Sequence, residues 1–374
     1  HDTRGRIQRV CTIEDIRRLL DDCDNPGILG TVGRYHAQAV LGRGGMSIVF
    51  AAWDPILDRR VAIKVLNGNQ NETTWQRFAR EARAVAKIEH DAVVPLYEVV
   101  ERSNRPPALV MPLMSGGSLQ QQIDREPLSP KRAAEITWRT ACGLAEVHRH
   151  NQVHRDIKPG NILFDDKGSA KLSDFSLARR DEDEPLTEDN VLPGTPEYIA
   201  PEMLLLGESA NQRSDIYQLG LTLYAMLTGA PPYRGSVRSV LRQVAEDVPP
   251  SPSKASTDKI PRDLETICLK AIERKPSERY ESAAALADDL QRFLSGESIL
   301  ARRPNPILLA SRFTRRHPVG SAIAGIAVPC LILLAIAFTA IRRQHQRFEQ
   351  QTQLVQAQRK ADRQRLADET HRAD

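Results

Sequence analysis

The run His154-Arg155-Asp156-Ile157-Lys158-Pro159-Gly160-Asn161 decides how this chain is read. It comes after a helical pattern and precedes the strand-like Ile162-Leu163-Phe164, which places it on a loop between two regular elements. An acid, a lysine and a side-chain amide lie within six residues. Asp156 can accept a hydrogen bond from an incoming hydroxyl and aim it at phosphorus. Lys158 can neutralise charge on a moving phosphoryl group, and Asn161 can hold one Mg²⁺. Asp174-Phe175, 13 residues beyond Asn161, adds a carboxylate suited to metal ions that bridge β- and γ-phosphates.

Working back towards the N-terminus, Leu41-Gly42-Arg43-Gly44-Gly45-Met46-Ser47-Ile48-Val49 reads as a glycine-rich hairpin. Without side chains at its turn, a backbone can come close to phosphates. Alone the pattern is weak, because glycine-rich turns are common. It gains force from Val61-Ala62-Ile63-Lys64, a strand carrying a lysine suited to the α- and β-phosphates. Lys64 needs a carboxylate to orient it, and Glu81, on an amphipathic helix expected over 73–89, offers one. Strand-like runs come next at 93–100 and 108–114, and from about Ser129 helical patterns dominate.

From about Arg34 to Leu294 the chain resembles the eukaryotic-type protein kinases. It is most similar to the bacterial transmembrane Ser/Thr kinases of the PknB-like group, which share the Gly-Gly-Met-Ser form found here at 44–47. The resemblance implies an α+β, bilobal kinase fold with a β-rich N-lobe and an α-rich C-lobe. It implies ATP and Mg²⁺, with Mn²⁺ as an alternative, and protein substrates bearing serine or threonine. It places the nucleotide against residues 41–49, Ala62, Lys64 and Glu81. Met111 takes the gatekeeper position and Pro112 to Met114 the adenine-binding linker. Pro112 has no N–H, but its carbonyl can accept from adenine while the Met114 amide donates.

By the same resemblance, Gly194-Thr195-Pro196-Glu197-Tyr198 is the substrate-docking loop and Ala200-Pro201-Glu202 the Ala-Pro-Glu motif. Asp215 braces the catalytic loop, and Arg279 pairs with Glu202. Lys158-Pro159 and Thr195 point to serine and threonine rather than tyrosine as acceptors.

Two features depart from the pattern or add to it. Asp174-Phe175-Ser176 has serine where the family carries glycine, which narrows the backbone freedom of that switch. It is the one mark favouring the alternative of a pseudokinase scaffold or sensor. Arg155, beside the catalytic acid, calls for an anion, and Thr187 is the expected autophosphorylation site. The acidic run 181–184 reads either as a solvated loop or as a partial substitute for that phosphate.

The rest of the chain sets the frame. Its 374 residues, 41% hydrophobic and 27% charged, give room for about two domains, and a net charge of +4 gives no case for nucleic acid. Cys11, Cys23, Cys142, Cys268 and Cys330 contain no C-x-x-C pair, which argues against a zinc site or a disulfide framework. Residues 1–33 form an N-terminal extension with a linker at Asn25-Pro26-Gly27, 34–295 the kinase domain, and 296–317 a basic juxtamembrane linker. Residues 318–341 are 24 in number and uncharged. As a helix they would measure about 36 Å, enough to cross a hydrocarbon core of about 30 Å. One transmembrane helix is expected there, with a polar, helix-forming tail at 342–374 on the extracytoplasmic side and the kinase domain in the cytoplasm. A homodimer is a further option. The start at His1 and the charged last residues suggest a piece of a longer product.

Overall fold

In the computed structural model, residues 19–21, 27–44, 47–66, 72–103, 105–175, 196–301 and 342 are described. The chain divides into two units, His1–Arg303 and Pro304–Asp374, and both lobes described below belong to the first. The 318–341 run lies outside the described residues; among those, no helix is long and apolar enough to cross a membrane.

A six-stranded antiparallel sheet forms the N-terminal lobe. Its strands are β1 (Gly30–Val32), β2 (Tyr35–Arg43), β3 (Ser47–Asp54), β4 (Arg59–Leu66), β5 (Glu98–Arg102) and β6 (Arg105–Pro112), in the order β1-β2-β3-β4-β6-β5. Along β3, buried and half-buried residues alternate one by one, the period-2 signature of a sheet with two different faces. One face carries Ile48, Phe50, Ala52, Val61, Ile63, Val65 and Val110 into a single apolar cluster. The other face is fixed by register. Val49 lies opposite Lys64, Lys64 opposite Leu109, and Ala62 opposite Met111. Cross-strand partners share a face, so these residues look together into the cleft.

The outer face is covered from an unexpected quarter. Leu19 and Leu20 belong to the same cluster and are 2% and 1% exposed. Their carbonyls accept from Arg102 Nη1 (2.6 Å) and from Arg105, and Arg105 also pairs with Asp21 at 3.4 Å. Asp21 bridges to Thr31 of β1. Gly30 sits at φ 151°, and a Cβ there would stand 2.7 Å from the Asp21 carbonyl oxygen, so only glycine lets this segment close down. The segment expected as a bare extension thus completes the lobe, because it holds the apolar pair that the sheet needs.

Helix α1 (Glu72–Val85) buries Phe78, Ala79, Ala82 and Val85. It ends four residues before the expected limit, and Ile88 turns away into the core of the other lobe. The strand expected at 93–100 begins only at Glu98. Pro95 lacks a donor, and Val93 instead bridges in parallel to Leu172 across the lobes.

The second lobe is helical: α2 (Leu119–Ile123), α3 (Pro130–Arg149), α4 (Pro201–Leu205), α5 (Gln212–Thr228), α6 (Val237–Glu246), α7 (Pro252–Ala255), α8 (Arg262–Ala271) and α9 (Ala283–Leu294). A small hairpin, β7 (Ile162–Phe164) with β8 (Ala170–Leu172), faces the cleft. Helix α5 is buried from Ser214 to Leu227, as a helix apolar all round must be. The Asn211 side chain caps its first turn through the Arg213 and Ser214 amides, and left-handed Gly229 ends it.

Two buried polar groups tie this lobe together. Glu202 and Arg279, 3% and 3% exposed, form a two-pronged ion pair with both contacts at 2.7 Å. Arg279 also donates to the carbonyls of Glu273 and Arg213 and lies over the Tyr217 ring. Asp289, fully buried, accepts from the Tyr280 hydroxyl (2.9 Å) and from the amides of Leu300 (2.5 Å) and Ala301 (2.9 Å). Burial and this acid push the Tyr280 phenol well above its ordinary range.

Candidate active site

The loop between α3 and β7 takes its shape from α5. Asp215, with no exposure, accepts the Arg155 amide on Oδ1 and the His154 amide on Oδ2, both at 2.8 Å. Its Oδ2 also lies 2.9 Å from His148 Nε2 at the end of α3. One turn further along α5, Gln218 Oε1 accepts the Ile157 amide at 2.9 Å, and its Nε2 donates to the Arg155 carbonyl at 3.3 Å. These contacts hold Arg155 at φ 71°, a left-handed conformation that costs a non-glycine residue about 1–3 kcal/mol.

His154 links the loop to the strand beyond it. Its Nε2 lies 2.9 Å from the Ser173 carbonyl oxygen, and its ring packs on Phe175 at 4.7 Å between centroids. Complete burial pushes its pKa down, against the pull of Asp215 and the Ser173 carbonyl, so the imidazole is held neutral.

At the loop's open end, Lys158 Nζ donates to Asp156 Oδ2 at 2.8 Å, and Asn161 Nδ2 donates to the same oxygen at 3.0 Å and to the Asp156 carbonyl at 2.8 Å. The amide nitrogen of Asn161 is thereby committed, which leaves Oδ1 as its coordinating atom. Ser173 donates through both N and Oγ to the Asn161 carbonyl, at 2.9 and 3.0 Å, so the segment carrying Asp174 is fastened to the one carrying Asn161. Asp174 is itself left-handed, at φ 59°. From the N-lobe, Lys64 reaches across and ion-pairs with Asp174 at 3.1 Å. Residues 110 positions apart in the chain thus meet at one point. Lys64 takes Asp174 as its partner rather than Glu81, the acid expected to orient it; Glu81 sits half-buried on α1. Behind the pair, Lys64, Val85, Leu109, Met111, Asp174 and Phe175 help to line a cavity of about 30 Å³.

Do these residues fit a nucleotide and its metal? Among the described residues, a Cβ built on Gly42 would meet no atom within 4 Å, and on Gly44 nothing closer than 3.6 Å. Packing among those residues does not demand glycine at either place; the close approach of a phosphate would. The Met114 amide finds no acceptor among the described residues, which suits a donor meant for a base edge. Asn161 Oδ1 and the Asp174 carboxylate are hard oxygen donors. Two of them would suit Mg²⁺ or Mn²⁺, which takes its other positions from water and phosphate. Among the described residues no cluster of three or more His, Cys, Asp or Glu could hold a metal. A site completed by phosphate oxygens is consistent with that.

Residues 35–290 match the family model described as "Protein kinase domain". The chain belongs to the protein kinase family. Among curated kinases, it is 36% identical over 274 residues to the serine/threonine-protein kinase PknB of Mycobacterium tuberculosis, covering 71% of this chain and 43% of that one. It is 38% identical over 263 residues to PknL of the same organism, covering 69% and 65%. PknB of Mycolicibacterium smegmatis is 37% identical over 275 residues. The chain thus spans about two fifths of the length of the PknB relatives.

Of the positions that kinase resemblance singles out, the structure gathers Lys64, Asp156, Lys158, Asn161 and Asp174 around one cleft. It puts Leu41, Gly42, Arg43, Gly44, Ser47, Ile48 and Val49 on the β2–β3 hairpin above it. Ile48 points away from the cleft into the outer core, at 1% exposure, as its place in the alternation requires. Gly45, Met46, Ser176, the acidic run 181–184, Thr187, Gly194 and Thr195 lie outside the described residues. His148 and Gln218 are not singled out by the sequence. The signal for Gln218 is its place three residues after Asp215 on one helix, which puts both side chains on one face.

Proposed function

We propose that the chain is an ATP-dependent serine/threonine protein kinase, anchored in a membrane by residues 318–341 with its catalytic domain in the cytoplasm. One observation carries the catalytic reading: Lys64 and Asp174 stand 3.1 Å apart, and the Asp174 segment is fastened through Ser173 to Asn161, which with Lys158 holds the Asp156 carboxylate. The Lys64 ammonium is placed to take the α- and β-phosphates, which frees the Asp174 carboxylate for metal. Bound Mg²⁺ would supply neutralisation of charge on the β- and γ-phosphates. Asp156 orients the substrate hydroxyl, and Lys158 follows the charge on the transferred group. The relatives' names support serine and threonine as acceptors.

The catalytic test is transfer from radiolabelled ATP to a protein mixture. Asp156→Asn should lower the rate by about 10²–10⁴-fold, and equal rates for variant and wild type would sink the assignment. Autophosphorylation at Thr187 is read by mass spectrometry of both forms; an unmodified Thr187 in active wild-type protein counts against it. Membrane anchoring is supported by 24 uncharged residues flanked by Arg315, Arg316, Arg342 and Arg343. Release of the full chain from membranes by an alkaline carbonate wash would refute it.

A further inference from the structure

The six-stranded sheet curls until its two ends approach each other. β1 and β5 are its edge strands, yet contacts cross from the β1–β2 end to β5 at successive points. Tyr35, at the start of β2, donates through its hydroxyl to Glu98 at 2.6 Å, and Arg34 pairs with Glu98 at 2.9 Å. Two residues further along β5, Val100 packs against the outer apolar cluster. It lies so near the β1–β2 turn that a Cβ on Gly33 would stand 3.4 Å from its Cγ1. At the far end of β5, residues 19–21 lie in the seam. Asp21 exchanges two backbone hydrogen bonds with Thr31 of β1, at 2.8 and 2.9 Å. On the other side, Arg102 of β5 donates to the Leu19 carbonyl, and Arg105 of β6 donates to the Leu20 carbonyl and pairs with Asp21. Arg102 is itself steadied by the Pro106 carbonyl, which accepts from Nε at 3.2 Å and from Nη2 at 2.7 Å. Three residues thus join the two edges of the sheet, with their leucines buried in the core beneath.

The curl of this sheet also positions two parts of the candidate site. β6 runs from Arg105 to Met111 and Pro112 at the expected adenine-binding linker, and β2 with β3 carries the hairpin expected to hold the phosphates. The hairpin is thinly held from its own β2 side. That strand is exposed from Gln38 to Arg43, and its register with β3 shifts between Ala37 and Ala39 and again between Val40 and Gly42. On the β3 side, Ile48 is a buried anchor, and it belongs to the cluster that Leu19 and Leu20 complete. Interiors are close-packed, so loss of two leucines from that cluster is felt by the side chains that share it.

We infer that residues 19–21 form a clasp across the seam of the curled sheet, and that closure of the clasp sets the affinity of the cleft for nucleotide. Closed, it fixes the curl and seats Ile48, which holds the phosphate-binding hairpin over the cleft at a set distance from β6. Open, it exposes Leu19 and Leu20 and leaves the hairpin free to lift. The inference rests on the kinase reading and adds a point of control to that site. Coupling of this kind is reciprocal: a nucleotide that favours the seated hairpin favours the closed clasp by the same factor.

The test uses the full chain, calorimetric titration with Mg·ADP, and hydrogen exchange at the Asp21 and Thr31 amides. Gly30→Ala drives a Cβ to 2.7 Å from the Asp21 carbonyl oxygen and leaves the clasp residues and both arginines unchanged. Arg102→Gln/Arg105→Gln removes the grip and leaves the leucines unchanged. Either variant should raise the Kd for Mg·ADP at least about fivefold and speed exchange at both amides. Leu286→Ala opens a cavity at a fully buried site on α9, in the other lobe, and should leave that Kd within about twofold of wild type. In the wild type, saturating Mg·ADP should slow exchange at Asp21 and Thr31 by about the factor by which the variants lose affinity. Clasp variants with wild-type Kd, or wild-type amides indifferent to nucleotide, would overturn the inference and leave the kinase reading intact. An equal loss of affinity in Leu286→Ala would overturn it too, since destabilisation anywhere would then suffice. A wild-type chain that binds no Mg·ADP would end the kinase reading, and the inference with it.

Discussion

Replacing Asp215 with Asn changes one atom and should disable the catalytic loop. The carboxylate gathers two backbone amides at 2.8 Å on different oxygens, with His148 Nε2 at 2.9 Å. An amide has only one oxygen. Whichever way it turns, its NH₂ faces a buried backbone N–H. The change forfeits one hydrogen bond to a charged group, about 1.5–3 kcal/mol, and leaves a buried donor unpaired at about 1–3 kcal/mol. Together about 2.5–6 kcal/mol then presses on a loop that already carries strain at Arg155, φ 71°. At about 1.4 kcal/mol per decade, the fraction of molecules with Asp156 correctly aimed should fall by about 10²–10⁴. Steady-state kinetics should show that loss in kcat with KM for ATP little changed. Hydrogen exchange should show faster exchange of the His154 and Arg155 amides. A kcat within about threefold of wild type, with unchanged protection, would refute the bracing role of α5.

The same geometry sets three other outcomes. Glu202→Gln or Arg279→Met alone leaves one member of a buried ion pair uncompensated and should cost about 3–5 kcal/mol. The double variant Glu202→Met/Arg279→Met should recover part of that loss in thermal unfolding, whereas simple additivity would deny the coupling. Leu20→Ala should cost about 2–5 kcal/mol, although it lies before the matched family region, read as a fall in the urea midpoint. His154 is held neutral by burial, its folded pKa below the ordinary 6.5. The unfolded chain therefore takes up the proton first as pH falls. The stability from neutral His154 is full above about pH 6.5 and is lost as pH drops towards the folded value. Urea midpoints should fall from pH 7.5 to 5.5 more steeply in wild type than in His154→Asn, and parallel curves would contradict this.

The catalytic loop is legible because its chemistry is compressed into eight consecutive residues, and Lys64 because a strand pattern carries it. What escapes the sequence is contact at a distance. Nothing local to Gln218 says that its side chain holds the Ile157 amide. Nor does the spacing of Lys64 say that it meets Asp174 rather than Glu81, since that choice depends on the position of α1. The short apolar pair Leu19-Leu20 falls in what reads as an N-terminal extension, because periodicity cannot show which surface covers it. The strand limits near Val93 differ from expectation for a similar reason. β-branched residues there suit extended structure, yet their partner lies in the other lobe.

Asp289 has a mechanical meaning. By gripping the amides of Leu300 and Ala301, it makes the polypeptide leave the domain from a fixed point instead of a slack tail. Tension on the chain beyond that point would load α9 first and then α3, against which α9 packs and whose last turn runs into the catalytic loop.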